Sequence, residues 1–181
     1  GSGTNAENII NYFQQVKTAA VTKVLCNTKE AKVFERCENL GIACDFFTKN
    51  EFTASEIVLN TLNSNADFIV LAGFLWKIPE KIINAFPNKI INIHPALLPK
   101  YGGKGMYGMH VHKAVKAAEE VETGITIHLV NEAYDEGAIL FQTKISLSDQ
   151  DTPETIAAKI HVLEQAHFPK VIEQLILANN G

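Results

Sequence analysis

Lys89-Ile90-Ile91-Asn92-Ile93-His94-Pro95 is an apolar run without polar alternation, closed by a proline. Runs of this kind suit a strand covered on both faces, as in a parallel sheet flanked by helices. Pro95 has no N–H for a ladder, so the strand is expected to stop there and open into a loop. Asn92 and His94 stand two apart, which places both side chains on one face of a strand. Ligands of α/β proteins bind beyond strand ends. An amide beside an imidazole at such an end can manage the charge and protons of an acyl transfer. Asp135 follows in Tyr134-Asp135-Glu136-Gly137, a sequence that also reads as a plain turn. As a partner of His94 it would favour the imidazolium and raise the histidine pKa.

The rest of the chain repeats the theme. Asp67-Phe68-Ile69-Val70-Leu71-Ala72-Gly73 is a second unalternated run, and residues 21–26 read as a third strand. Residues 31–40 read as a helix ending near Gly41, and residues 53–62 as an amphipathic helix through Ile57, Val58 and Leu62. Residues 125–130 and 139–147 are later strands, the second alternating through Ile139, Phe141, Thr143, Ile145 and Leu147. Strands alternating with helices predict βαβ units with right-handed crossovers. The last helix has a legible start, with Thr152 as cap, Pro153 in the first position and Glu154 at the positive end. Ile156, Ile160 and Leu163 mark its apolar stripe, and Pro169 is expected to kink or interrupt it. No linker or repeat divides the chain, so residues 1–181 read as one domain.

Composition sets the class. A 181-residue chain with 46% hydrophobic and 20% charged residues suits one globular domain with a substantial core. The net charge of −4 offers nothing to nucleic acid or an anionic membrane. No apolar run reaches the roughly 18 residues of a membrane span, and the small, polar opening does not read as a signal peptide. Cys26, Cys37 and Cys44 are odd in number and lack a regular framework. They are expected to be reduced thiols of a cytoplasmic protein, and no tight Cys/His cluster points to zinc.

Three further segments bear on chemistry. Gly1-Ser2-Gly3-Thr4-Asn5 leads into a helical pattern at Ile9, Ile10 and Phe13. Its backbone amides could bind a phosphate, although no strand precedes it, as a phosphate loop requires. Residues 102–108 hold four glycines in seven positions and read equally as a substrate lid or a bland loop. His110 and His112 enter a helix two apart and so point to different faces, which argues against a shared metal. Thr126 and His128 alternate on their strand and share a face. There is no nucleophile elbow. Acyl chemistry here is therefore expected to pass directly between two bound substrates.

Asn92-Ile93-His94-Pro95-Ala96-Leu97-Leu98-Pro99 resembles the signature of the folate-dependent formyltransferases. The opening loop, Ala72-Gly73-Phe74-Leu75, the Tyr134–Gly137 element and Glu164-Gln165-Ala166-His167-Phe168-Pro169 are similar to the branch whose acceptor is glycinamide ribonucleotide. The resemblance runs from end to end. It implies a doubly wound, mostly parallel Rossmann-like sheet with helices on both faces, and formyl transfer from 10-formyltetrahydrofolate to the ribonucleotide amine in purine synthesis. It implies Asn92, His94 and Asp135 as the catalytic trio, with Thr126 near a proton-transferring water. Gly3, Thr4 and Asn5 would hold the ribonucleotide phosphate, with Glu164 near the amine end. Leu75, Trp76, Ile78 and Val130 would line the folate pocket, and His110 and His128 would support the cleft. No metal, nucleic acid or membrane is implied, and the state is a monomer or homodimer. Trp76 departs from the arginine of many members, and the loop at residues 102–108 looks long. The family's first strand is missing before the opening loop, so this polypeptide is expected to be impaired unless something replaces that strand. A deformylase that uses water as acceptor, or a nucleotide- or folate-binding domain without turnover, remain the alternatives.

Overall fold

Helix α1 (Thr4–Val16) forms because Ile9, Ile10 and Phe13 recur at helical spacing and bury together. The structure, a computed structural model, describes residues 2–179. Strand β1 (Val24–Cys26), helix α2 (Val33–Asn39) and strand β2 (Cys44–Phe46) make a parallel pair with its crossover. The expected single helix over residues 53–62 is split. Thr48 and Glu51 form a capping box that starts α3 (Lys49–Thr53), which ends before α4 (Ile57–Asn65) begins. Strand β3 (Ile69–Leu71), helix α5 (Glu80–Ala85) and strand β4 (Ile90–His94) repeat the parallel winding, Ile69 lying beside Ile90. Helix α6 (Met109–Ala117) leads to β5 (Glu122–Leu129) and β6 (Ile139–Ser146), both antiparallel to their neighbours in the order β3-β4-β5-β6. The result is the expected α/β architecture with an antiparallel edge.

The two faces of β4 explain its unalternated sequence. Ile91 and Ile93 enter a core shared with Ile9, Val111, Val115 and Phe168 from α1, α6 and helix α7 (Pro153–Asn179). Ile90 enters a second core with Phe52, Val58 and Ile82 from α3, α4 and α5. Asn92 and His94 continue the Ile90 face along the strand, so two polar groups follow directly on an apolar layer. Strands β1 and β3 are the facing edges of the two sheets. A cavity of about 470 Å³ lies between them, lined by both strands and by Ile9, Phe13 and Ile172, and no described strand fills it. No described helix is long and apolar enough to cross a membrane.

Thr152 caps α7 as expected, its hydroxyl accepting from Thr155 N at 3.3 Å. Asp151 adds a second hold, accepting from Ser148 N, Thr155 Oγ1 and Lys159 Nζ at 2.8–2.9 Å. Those donors, the lysine first, hold its carboxyl well below the usual range. Pro169 neither ends nor interrupts the helix. Proline cannot donate to the carbonyl four residues back, and that group, Gln165 O, instead accepts from Asn8 Nδ2 of α1 at 2.9 Å. Asn8→Ala is therefore expected to destabilise the protein by about 1 kcal/mol. A thermal melt reads this as a lowered Tm, and an unchanged Tm contradicts it.

Candidate active site

Antiparallel pairing sets Asn92 opposite His128 and His94 opposite Thr126, so the four side chains share one face. The loop after β5 turns back at Asp135, which adopts a left-handed φ of 56°. Its carboxylate thereby reaches both histidines, Oδ2 at 3.6 Å from His94 Nδ1 and Oδ1 at 3.5 Å from His128 Nε2. This is the meeting that the sequence pattern alone leaves open. Residues 101–103 pack against it from the other side. His94 Nε2–H donates to Tyr101 O at 2.7 Å, and Gly103 N–H donates to Asp135 Oδ2 at 2.9 Å. A Cβ at Gly102 would fall 2.5 Å from Leu98 Cδ2, so a side chain there would displace the end of Leu98.

The hydrogen bonds fix tautomers. With Nε2–H committed to Tyr101, Nδ1 is the His94 nitrogen that faces Asp135. His128 Nδ1–H donates to Leu129 O at 2.8 Å, which leaves its Nε2 to accept from Asn92 Nδ2 at 3.2 Å. That bond orients the Asn92 amide and uses one of its two N–H groups. His94 is only 3% exposed. Burial pushes its pKa below the ordinary histidine value, and the Asp135 charge and Tyr101 carbonyl pull upward without overcoming it. The upward pull expected of Asp135 is present, and desolvation is larger. Burial also acts to raise Asp135. Protonation of His128, which turns its Nε2 into a donor toward Asp135, the Gly103 N–H and the charges of the protonated imidazoles outweigh it and leave the carboxyl below its usual range.

Thr126 is fully buried and spends its whole hydrogen-bonding capacity. It donates to Ala96 O at 2.7 Å and accepts from Leu98 N at 3.0 Å and Gln142 Nε2 at 2.8 Å. It therefore braces the loop after Pro95. His110 is exposed and lies against Tyr107 with centroids 5.1 Å apart, and no contact joins it to the trio. The buried member of the His110/His112 pair is His112, whose Nδ1 has no hydrogen-bond partner and whose pKa is lowered by burial and by His94.

Gly3, Thr4, Asn5 and Glu164 come together at the start of α1. Gly3 has φ 75°, and a Cβ there would lie 2.8 Å from Val33 Cβ, so α2 demands glycine at this turn. Asn5 Nδ2 donates to Glu164 Oε2 at 3.0 Å, and Gln165 Nε2 donates to Asn5 Oδ1 at 2.8 Å. Arg36 donates to Ser2 O at 2.8 Å and pairs with Glu7. Trp76 and Ile78 pack into the second core beside Phe47, Phe52 and Phe74, and Val130 packs against it. Leu75 stands apart at 52% exposure. Tyr101, Gly103, His112, Gln142 and His161, which lies 3.5 Å from Glu164, were not singled out by sequence as site residues. Of these, only Gly103 lies in the glycine-dense loop that the sequence signals. Among the described residues no group of three or more His, Cys, Asp or Glu could hold a metal ion.

A family profile described as formyl transferase matches residues 1–172. The chain belongs to the formyl transferase family. This family member is 41% identical over 158 residues to the chloroplastic phosphoribosylglycinamide formyltransferase of Arabidopsis thaliana, covering 84% of the chain and 54% of that protein. It is 35% identical over 186 residues to the phosphoribosylglycinamide formyltransferase of Bacillus subtilis, covering 99% of the chain and 93% of that protein. The crystal structure of phosphoribosylglycinamide formyltransferase from Bacillus halodurans matches it with a TM-score of 0.86 and 32% identity, covering 97% of the chain and 91% of that structure. The formyl transferase chain thus spans about half the length of the plant relatives it matches and most of the bacterial ones.

Proposed function

We propose that this chain transfers the formyl group of 10-formyltetrahydrofolate to the amine of glycinamide ribonucleotide, in purine synthesis in the cytoplasm, as a monomer or homodimer and without a metal. The observation that carries the reading is the meeting of Asn92, His94 and Asp135 at the end of β4, in a chain of the formyl transferase family. Bacterial relatives of similar length named for this activity support the choice of acceptor.

The amine lone pair attacks the formyl carbon, and the carbonyl π pair moves onto oxygen. The free N–H of Asn92 and the Nδ1–H of protonated His94 stabilise that oxyanion. Asp135, a carboxylate at neutral pH, balances the imidazolium. Collapse re-forms the carbonyl and breaks the bond to the folate nitrogen. The attacking nitrogen loses one proton and the folate nitrogen gains one, with His94 Nδ1 and Asp135 as the route between them. His128 sets the Asn92 amide, and Thr126 braces the adjoining loop. Gly3, Thr4 and Asn5 hold the phosphate on the N-terminus of α1, Glu164 borders the ribonucleotide, and Leu75, Trp76, Ile78 and Val130 border the folate.

The reading is tested by formyl-folate consumption with and without glycinamide ribonucleotide. Turnover that requires the ribonucleotide supports it. Equal turnover without it favours a deformylase, and folate binding without turnover favours a binding domain. Within the same assay, Asn5→Ala is expected to raise KM for the ribonucleotide by about tenfold with little change in kcat, as for uniform binding. A lower kcat at constant KM contradicts that role.

A further inference from the structure

We propose that Glu120 is a positioning residue for the chemistry at His94, acting through Tyr101. The inference rests on the formyl-transfer reading for its effect on rate, but its structural core does not. Glu120 lies between α6 and β5, outside the trio. Its Oε1 accepts from Tyr101 Oη at 2.8 Å and from Lys100 Nζ at 2.8 Å. Tyr101 holds a left-handed φ of 57°, a conformation that a bulky side chain keeps only where its surroundings impose it. That conformation aims Tyr101 O at His94 Nε2, 2.7 Å away. Two residues on, Gly103 N–H meets Asp135 Oδ2 at 2.9 Å. One short segment therefore orients both members of the His94–Asp135 pair.

Tyr101 and Met106 pack against the first core, and Met106 N–H donates to Gly103 O at 3.1 Å. Gly103 and Gly105 have φ of 90°, and no atom lies where their side chains would be. The side-chain partner that fixes the Tyr101 hydroxyl is Glu120. The consequence for His94 is chemical. A neutral imidazole has one N–H, and Tyr101 O claims it at Nε2. The remaining lone pair, on Nδ1, faces a carboxylate at 3.6 Å, an arrangement relieved when Nδ1 takes a proton. Releasing Tyr101 lets the ring place its single N–H on Nδ1 toward Asp135 and removes the stabilisation of the doubly protonated ring. Asp135, His128 from β5 and His112 from α6 are the other titratable groups around His94. Lys100 borders Glu120 itself, and Glu122 acts on Lys100.

The test uses Tyr101→Phe and Glu120→Ala, with Glu120→Asp as the conservative partner. Magnetic resonance of the ligand-free protein carrying isotope-labelled histidine reads which nitrogen of His94 bears hydrogen. The expected spectrum is Nε2–H in the native protein and in Glu120→Asp, and a shift toward Nδ1–H in the other two variants. Those two are expected to lose about tenfold in kcat, with KM for both substrates unchanged. Their high-pH limb of kcat moves to lower pH, because the carbonyl that supports the charged ring is gone. A native spectrum and pH profile in both variants overturns the proposal. A tautomer shift in a protein that makes no formylated ribonucleotide upholds the Glu120–Tyr101 link and overturns the formyl-transfer reading instead.

Discussion

Replacing His94 with alanine is expected to lower kcat by about 10²-fold or more, the scale of one acid–base or oxyanion group. The ring is 3% exposed, its Nε2 is committed to Tyr101 O, and its Nδ1 is the nitrogen that faces Asp135. Removing it deletes a donor made for the transition state, so both KM values should change little. Steady-state kinetics with each substrate varied in turn checks this, and retained kcat contradicts it. Stability supplies an independent readout. The folded-state pKa of His94 lies below its ordinary value because burial penalises the charge. Its stability is therefore intact above the ordinary histidine range and lost as pH falls through it. His94→Ala removes that loss, so thermal melts should fall less steeply toward acid than in the native protein. His112, shifted the same way, retains its share.

Asp135→Asn is expected to lower kcat by about 10²-fold while leaving the fold intact. The amide keeps the shape, and its oxygen can still accept from Gly103 N–H. What disappears is the negative charge 3.6 Å from His94 Nδ1. Burial then acts on His94 with less opposition, and its pKa falls further. The limb of kcat that requires imidazolium should move to lower pH, so the deficit narrows as the assay is made more acidic. A pH–rate profile reads this directly. A variant with the native profile means that Asp135 does not act on His94.

Strand β4 was legible because its apolar run, its period of two and Pro95 all point one way. The same logic placed Thr126 and His128 on one face, and β5 pairs them with His94 and Asn92. Other features depended on groups distant in sequence. Pro169 reads as a kink or an interruption, yet the helix continues through it and Asn8 from the first helix meets the freed Gln165 carbonyl. Residues 53–62 read as one helix because apolar spacing says nothing of the Thr48–Glu51 box that starts a separate turn. The direction of the His94 pKa needed the depth of burial, which no local pattern contains. Tyr101 acts through a backbone carbonyl, and such a contact leaves no mark on residue identity. The three partners of the Thr126 hydroxyl likewise come from residues distant in sequence.

The most direct measurement follows a single turnover of the protein with 10-formyltetrahydrofolate carrying an isotope-labelled formyl carbon and with glycinamide ribonucleotide, products and protein being resolved by mass. The account predicts that the labelled carbon moves onto the ribonucleotide nitrogen and that the protein mass never changes. Label released as formate at the same rate whether or not the ribonucleotide is present, or found bound to the protein, would contradict it.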